Sequence, residues 1–454
     1  MADLRSAAPE SRLRPDFLPK DAYVSRDFLA LEKARLWPRV WQVACREEEL
    51  ANVGDYVTYD VHDESIIVVR SAPGAIRAWH NVCQHRGRRL TAGCGHLARF
   101  HCGFHGWQWH LDGSVARIKD EDDWRGCPGF GSANLRLREV RCESWQGFVF
   151  VNLDAGAEPL ARFLDPVPAY LDPFELGRMR YRWHKLIKVP CNWKVALEAF
   201  DEGYHAFATH PQMMSSYGDD TTRSFAFGRH SMFTFSEDRR PTGAPASRTG
   251  RPMPDDLRPG LVESQRILNE QLRSIISERD YHASARLLSE VPANAPPAEV
   301  FARLTQFHRE AAIAAGAGWP DITPEQMAAA GLDWHLFPNF IVLPYADGAL
   351  MYRARPHGDD PDWCLFDIWA LERYAPGAEP PLVREAWLGD RDWCEDVVAK
   401  VGVILAQDLA NMHEVQRGMK SSGFSGSRTN PLQETAVYNL HRSIREFISA
   451  GDGR

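Results

Sequence analysis

Along residues 55–153 apolar and polar positions alternate in short runs, at 56–61, 65–70, 75–82 and 147–153, with turn dipeptides at 73–74 and 112–113. Period-two alternation bounded by Gly, Pro and Asp predicts a small β domain, with Trp107, Trp109 and Trp145 as its core bulk. After Asp154 the pattern changes. A strand is predicted at 181–189, a helix from Asn192, and further strands at 340–343, 349–355 and 364–371. A Pro-, Gly- and Arg-rich stretch at 237–260 reads as an exposed loop, and a helical insertion follows at 261–288 that either covers a pocket or decorates the surface. Apolar residues recurring at three and four positions predict one long helix over 393–419 and another over 432–448, packed on the second sheet. No internal repeat is found.

With 454 residues, 44% hydrophobic and 25% charged, the chain is long enough for two or three domains with real cores. A net charge of −8 gives no electrostatic argument for nucleic acid or an anionic membrane, so neither is an expected partner. The first fifteen residues are charged, and no stretch approaches the length needed to span a bilayer; the cytoplasm is the expected location. The nine cysteines form no disulfide-like framework.

Two pairs carry the first chemistry: Cys83 with His85, and Cys102 with His105. Two thiolates suit one ferric ion and two neutral imidazoles the other, which raises the reduction potential of a two-iron, two-sulfur cluster. A structural zinc site is the bland alternative, but zinc loops more often use Cys-x-x-Cys pairs. His96, His101 and His110 read as ordinary histidines, since four ligands complete the cluster. The run Cys102-Gly103-Phe104-His105-Gly106-Trp107 resembles the Rieske ferredoxin fold, where two such loops clasp the cluster; family members often have Pro-Tyr at the Gly103-Phe104 position.

A second constellation lies in the segment from Asn192 through Glu198, Asp201, Glu202, Tyr204 and His205 to His210-Pro211. Histidines five apart on a regular helix point about 140° apart. Proline pushes the preceding residue out of the helical region, so His210 can sit past the helix end and swing back towards His205. Asp408, an acid within an apolar helical run, completes a candidate triad of two histidines and one carboxylate that leaves open positions on ferrous iron.

Together these motifs resemble the catalytic α subunit of Rieske non-haem iron oxygenases, the ring-hydroxylating dioxygenase family. The matching residues are the Cys/His pairs, Asn192-Trp193-Lys194, Glu198, Tyr204-His205, His210, Gln407-Asp408 and Gln416-Arg417-Gly418. The resemblance implies an α+β protein: a 1–38 helical segment packing on the catalytic domain, an all-β Rieske [2Fe-2S] domain at 39–155, and a 156–454 catalytic domain with an antiparallel sheet flanked by helices, helix-grip or START-like. It implies mononuclear Fe(II), O2 as co-substrate, and NAD(P)H acting only through a separate ferredoxin or flavin reductase. It also implies a carboxylate that bridges the Rieske histidine of one subunit and an iron-ligating histidine of its neighbour. Glu202, three residues before His205 and so on the same helix face, is the choice for that bridge; Asp201 is the alternative, and Glu198 also lies near that face. Ala199 stands where many relatives have asparagine.

A bridge across subunits implies a head-to-tail ring, and the resemblance implies that this ring is a homotrimer, with or without a small β subunit. Phe200, Phe207, Met213, Met214, Phe337 and Phe340 are the pocket candidates and suggest an apolar, aromatic substrate; Arg residues in 223–258 read as a solvated loop. Ring dihydroxylation is the expected reaction, with a monooxygenase or an O- or N-demethylase as the alternative. Two other readings are a pure Rieske electron carrier, which leaves the second triad unexplained, and a non-catalytic zinc-stabilised interaction protein, which zinc without sulfide would favour.

Overall fold

The computed structural model describes residues 14–131, 134–214, 222–235, 254–390 and 395–449. The chain divides into two compact units, Lys33–Phe163 and Met1–Glu32 with Leu164–Arg454. These edges fall at 33 and 163, where the expected boundaries are at 38 and 155.

The Lys33–Phe163 unit is built on a seven-stranded sheet in the order Gln42–Arg46, Phe148–Asn152, Glu139–Trp145, Ala75–His80, Glu64–Ala72, Asp55–Val61, Cys94–His96, antiparallel throughout. The alternating runs become strands within one or two residues of their expected ends. Gln42–Arg46 escapes a period-two reading because all five of its residues are buried. A second, three-stranded sheet joins Phe100–His101, Gln108–Trp109 and Val115–Arg117. Trp107 and Trp109 pack with Ile67, Val69 and Trp79 in the core of this unit. Trp145 is only half-buried, stacked 6.5 Å from Phe148.

The other unit holds an eight-stranded sheet in the order Thr222–Phe227, His230–Phe235, Asp333–Leu336, Phe340–Pro344, Gly348–Pro356, Cys364–Glu372, Arg180–Val189, Ala386–Asp390. Its one parallel pairing is at the Ala386–Asp390 edge. Residues paired directly across strands share a face. Ser231, His335, Ile341, Tyr352 and Ile368 therefore line one face. Helices cover it: Asn439 of Thr435–Ser449 donates to Ser231 at 2.9 Å, and Phe200, just past Trp193–Glu198, stacks on Tyr352 at 3.9 Å. The opposite face carries Phe340, Arg353 and Asp367. There Asp367 holds both Arg353 (2.9 Å) and Arg355 (3.2 Å).

The long helix expected over 393–419 is two helices, Glu395–Val401 and Val403–Met419; residues 393–394 lie outside the described residues. Gly402 breaks it, at φ +91°, where a Cβ would sit 2.0 Å from the Gln271 carbonyl oxygen. Only glycine fits both demands. The insertion runs from Arg258–Ile267 through Pro297–Ala314 and has its own apolar core around Leu261, Leu287, Val300 and Phe307. At the other end of the chain, Leu18–Pro19 pairs with Gly426–Ser427, and Glu32 is buried against Lys194 and Trp193.

Candidate metal centres

The four residues of the first motif lie on one loop shape built twice. The Cys83 N–H donates to Arg88 O and the Gly87 N–H returns to Cys83 O; the Cys102 N–H donates to Trp107 O and the Gly106 N–H to Cys102 O, all at 2.8–3.0 Å. The fourth residue after each cysteine is a glycine at positive φ, +75° at Gly87 and +77° at Gly106, which lets the chain fold back over the thiol. The loops bring the His85 and His105 rings to 4.6 Å, edge to face, while Cys83 and Cys102 are 3% and 1% exposed.

Both Nδ1 atoms, of His85 and of His105, are buried with no hydrogen-bond partner. Buried ring nitrogens are rarely left unpaired, and two of them beside two buried thiols fit a cluster with mixed ligation. Burial pushes the Cys83 thiol up. At Cys102 burial acts the same way, but the Phe104 and His105 N–H groups and the Cys83 thiol outweigh it and hold the thiol below its usual range. Such N–H groups tune the charge on ligating sulfur. His85 stacks flat on Trp107 at 4.8 Å, and Arg86 lies over Phe104 with a guanidinium nitrogen 2.8 Å from His105 Nε2.

In the second constellation the expected continuous helix ends early. Asn192 caps Trp193–Glu198 by accepting from the Lys194 N–H at 3.1 Å. The helix stops at Glu198, and His205 precedes a separate short turn, Ala206–Thr209. Glu202 therefore reaches His205 through a turn and not through helical spacing: its carboxylate accepts from the Tyr204 and His205 backbone N–H groups and from His205 Nδ1 at 2.7 Å. His210, at φ −121° and ψ 58°, lies outside the helical region, as its place before Pro211 requires.

Asp408 comes from the helix Val403–Met419 and is 4% exposed. Its Oδ1 is 2.9 Å from His210 Nε2 and 3.5 Å from His205 Nε2, and the three donor atoms lie within 4.8 Å of one another. Ligands about 2.1 Å from an ion and at right angles are about 3 Å apart, so the triangle fits one face of an octahedron. Each imidazole has its other nitrogen held. His205 Nδ1 donates to Glu202, and His210 Nδ1 donates to Gln407 Oε1 at 2.9 Å, which also accepts from Gln212 at 2.8 Å. Both rings thus present Nε2 to the same point, the arrangement that fixes metal-ligating histidines. Burial lowers the His205 pKa, but the carboxylates of Glu202 and Asp408 push it up to about 9, so this pocket calls for a cation.

Further contacts hold the two ligand-bearing elements together. Asn192 N–H donates to Gln416 Oε1 at 3.1 Å, and Glu198 accepts from Tyr23 at 2.9 Å and from His441 at 2.6 Å. A cavity of about 260 Å³ opens beside the triad, lined by Glu198, Ala199, Glu202, His205, Asp408 and Glu434 among others. None of the expected pocket residues lines it. Phe340 is on the sheet face opposite Tyr352, Phe337 stacks on Phe447 at 5.7 Å, Phe200 packs on Tyr352 and Phe366, and Phe207 is 38% exposed. Met213 is half-buried outside the cavity lining, and the Met214 side chain lies outside the described residues. Asp201, the alternative bridge, turns away from His205: it is fully buried, with Oδ2 3.3 Å from His335 Nδ1 on the sheet. Sequence reasoning missed the parts played by Gln407, Asp201 and His335, since their partners lie far away along the chain.

Twin Cys/His loops in one unit and a two-histidine, one-carboxylate cluster in the other define the class of Rieske non-haem iron oxygenases. The chain belongs to the ring hydroxylating alpha subunit family, whose catalytic-domain model matches residues 175–450, while a Rieske [2Fe-2S] domain model matches residues 40–130. Membership implies a Rieske cluster and mononuclear iron acting with O2. The chain is 31% identical over 230 residues to the carnitine monooxygenase oxygenase subunit of Escherichia coli K12, an alignment spanning 45% of this chain and 59% of that one. It is 32% identical over 203 residues to the glycine betaine monooxygenase oxygenase subunit of Chromohalobacter salexigens, 44% of each chain. Against the anthranilate 1,2-dioxygenase large subunit of Acinetobacter baylyi it is 31% identical over 206 residues, 44% of this chain and 43% of that one. The chain thus spans about half the length of these curated relatives. Among solved structures, a quaternary ammonium Rieske monooxygenase bound to L-carnitine matches with a TM-score of 0.63 at 18% identity, over 96% of this chain and 97% of that one. Naphthalene 1,2-dioxygenase with indole bound matches with a TM-score of 0.64 at 18% identity, over 96% and 92%.

Proposed function

We propose that this chain is the oxygenase component of a multi-protein system that oxidises a small molecule with O2 and two electrons. The observation that carries this reading is the triad of His205, His210 and Asp408, with both imidazole Nε2 atoms aimed at one carboxylate oxygen and both Nδ1 atoms held. In such a site bound ferrous iron supplies the binding and activation of O2, and the Rieske cluster supplies electrons singly.

The chain's own residues set the conditions. Gln407 and Glu202 fix the ring orientations, and Asp408 supplies the charge that retains the metal. Glu202 lines the open cavity while bonded to His205, which supports a role for its carboxylate in relaying electrons from a neighbouring subunit's cluster. We therefore assign Glu202 the bridging role in a homotrimer, with electrons drawn from NAD(P)H through a separate ferredoxin or flavin reductase. Asp201 fits that role less well, since its Oδ2 lies 3.3 Å from His335 Nδ1 on the sheet.

For the substrate, the relatives named for carnitine and glycine betaine favour monooxygenation of a quaternary ammonium compound over the expected apolar aromatic. The scattering of the aromatic pocket candidates supports the same choice. Ring dihydroxylation is the second reading, favoured by the likeness to anthranilate and naphthalene dioxygenases. Mass spectrometry of products formed from labelled dioxygen, with the reduced holoenzyme and a panel of trimethylammonium and aromatic compounds, tests this. One label, or a lost alkyl group, supports the monooxygenase; two retained labels on a ring support the dioxygenase; oxygen uptake with neither label nor a dealkylated product refutes both.

A further inference from the structure

The sheet face that carries His335 holds buried acid that the metal triad does not use. Asp201 is 0% exposed, and neither carboxylate oxygen has a hydrogen-bond partner. Asp333, at the start of the strand Asp333–Leu336, is 1% exposed with Oδ2 unpartnered. Neither forms an ion pair with a lysine or arginine among the described residues. The nearby arginines of the sheet, Arg353 and Arg355, project from the other face and are engaged by Asp367.

The neighbour that Asp201 does meet does not settle its charge. His335 Nε2 donates to the Pro338 carbonyl at 3.1 Å, which leaves Nδ1, 3.3 Å from Asp201, as a lone pair facing a carboxylate. A proton on Asp201 relieves that contact when nothing else is present. Burial, with Glu198 and Glu202 adding their charge, holds the Asp201 carboxyl well above the usual carboxylate range, and burial with Asp201 does the same at Asp333. The cluster lies within electrostatic reach of the iron ligand. Tyr352, on the same sheet face as His335, has its phenol pushed up by burial and by the charges of both Asp408 and Asp333.

A buried carboxyl without donors or a counter-charge is costly to keep, the more so when ionised, so a fold keeps such groups where a ligand will meet them. A trialkylammonium group needs no hydrogen-bond acceptor geometry, only negative charge and apolar or aromatic surface, and Tyr352, with Phe200 stacked on it, is the aromatic side chain on the sheet face that carries His335. We propose that Asp201 and Asp333 form the subsite that recognises the cationic headgroup of the substrate, a quaternary ammonium. This rests on the oxygenase reading above and adds to it the residues that set substrate charge. Entry of a fixed cation draws the proton off Asp201, so binding releases protons to solvent. The groups that meet this carboxyl are Glu198 and Glu202 on its own segment and Asp333 and His335 on the adjacent strand; at one remove, His230 acts on His335, and Asp408 and Asp333 act on Tyr352.

The test is anaerobic calorimetry on the iron-loaded holoenzyme without reductant. The probes are choline, glycine betaine and 3,3-dimethylbutan-1-ol, the uncharged isostere of choline. At least one of the two cations should bind on the order of tenfold or more tightly than the isostere, with heats that change between buffers of different ionisation enthalpy as protons are released. Asp201→Asn and Asp333→Asn should each weaken cation binding by about ten- to a hundredfold, the size of one charge-assisted contact, with iron content and isostere binding kept. Asp201→Glu should recover part of the loss. Equal binding of choline and the isostere, binding of neither cation, or full affinity in both Asn variants overturns the proposal. The oxygenase reading fails separately: a protein that binds cations yet gives neither labelled nor dealkylated product keeps the subsite and loses the reaction.

Discussion

At the residue scale, the centres depend on a few atoms whose removal has separable effects. Glu202→Gln keeps the side chain and its turn but removes the charge; both metal centres should stay loaded while reoxidation of the reduced Rieske cluster by O2 and substrate slows by an order of magnitude or more, read by stopped-flow absorbance. Wild-type reoxidation in that variant would refute the bridge. Glu434 lines the same cavity, and burial, with the charges of Glu202 and Glu198 adding to it, raises its pKa to about 7. Its folded form holds a proton that the unfolded chain has already lost, so its contribution to stability is complete below about pH 4.5 and is lost as pH rises through about 7. Glu434→Gln should therefore raise the melting temperature relative to wild type at pH 8 and leave it nearly unchanged at pH 4.5. The metal-ligand candidates were readable because short spacings and a following proline constrain where Cys and His side chains can point. Gln407 as the partner of His210, and His335 as the partner of Asp201, were not readable, because these pairs join positions more than a hundred residues apart.

At the element scale, the helix that delivers Asp408 is set by its break. Gly402→Ala would drive a methyl group into the Gln271 carbonyl and hold a non-glycine residue at φ +91°. A cost of about 1–3 kcal/mol from overpacking, with backbone strain added, is expected. Mononuclear iron occupancy should fall while the Rieske absorption is unchanged. The helix Trp193–Glu198 is anchored by Lys194 and Glu32, both 0% exposed and 2.6 Å apart. Lys194→Met leaves Glu32 with only the Trp193 N–H at 3.1 Å and should cost about 3–5 kcal/mol in chemical denaturation, part of which Glu32→Leu in the same chain recovers. Alternating strands such as Asp55–Val61 and Glu64–Ala72 were legible from pattern. Gln42–Arg46 was not, because burial on both faces erases the alternation, and neither was the stop at Glu198, since the segment after it keeps a helix-compatible composition while Glu202 captures its backbone N–H groups.

At the scale of the whole molecule, two separately built sites divide the work between two compact units. The loops of the Lys33–Phe163 unit rest on paired glycine turns and an indole stacked on His85; the triad of the other rests on turn capping, a broken helix and an eight-stranded sheet. Nothing in the local sequence of either requires the other, so each centre should load independently. Iron and acid-labile sulfide analysis of anaerobically purified protein, beside His205→Ala, tests this most directly. The predicted result is about three irons and two sulfides per chain in the wild type, and about two irons and two sulfides in the variant with an unchanged Rieske spectrum. Zinc without sulfide in the wild type, or loss of both centres together in His205→Ala, would contradict it.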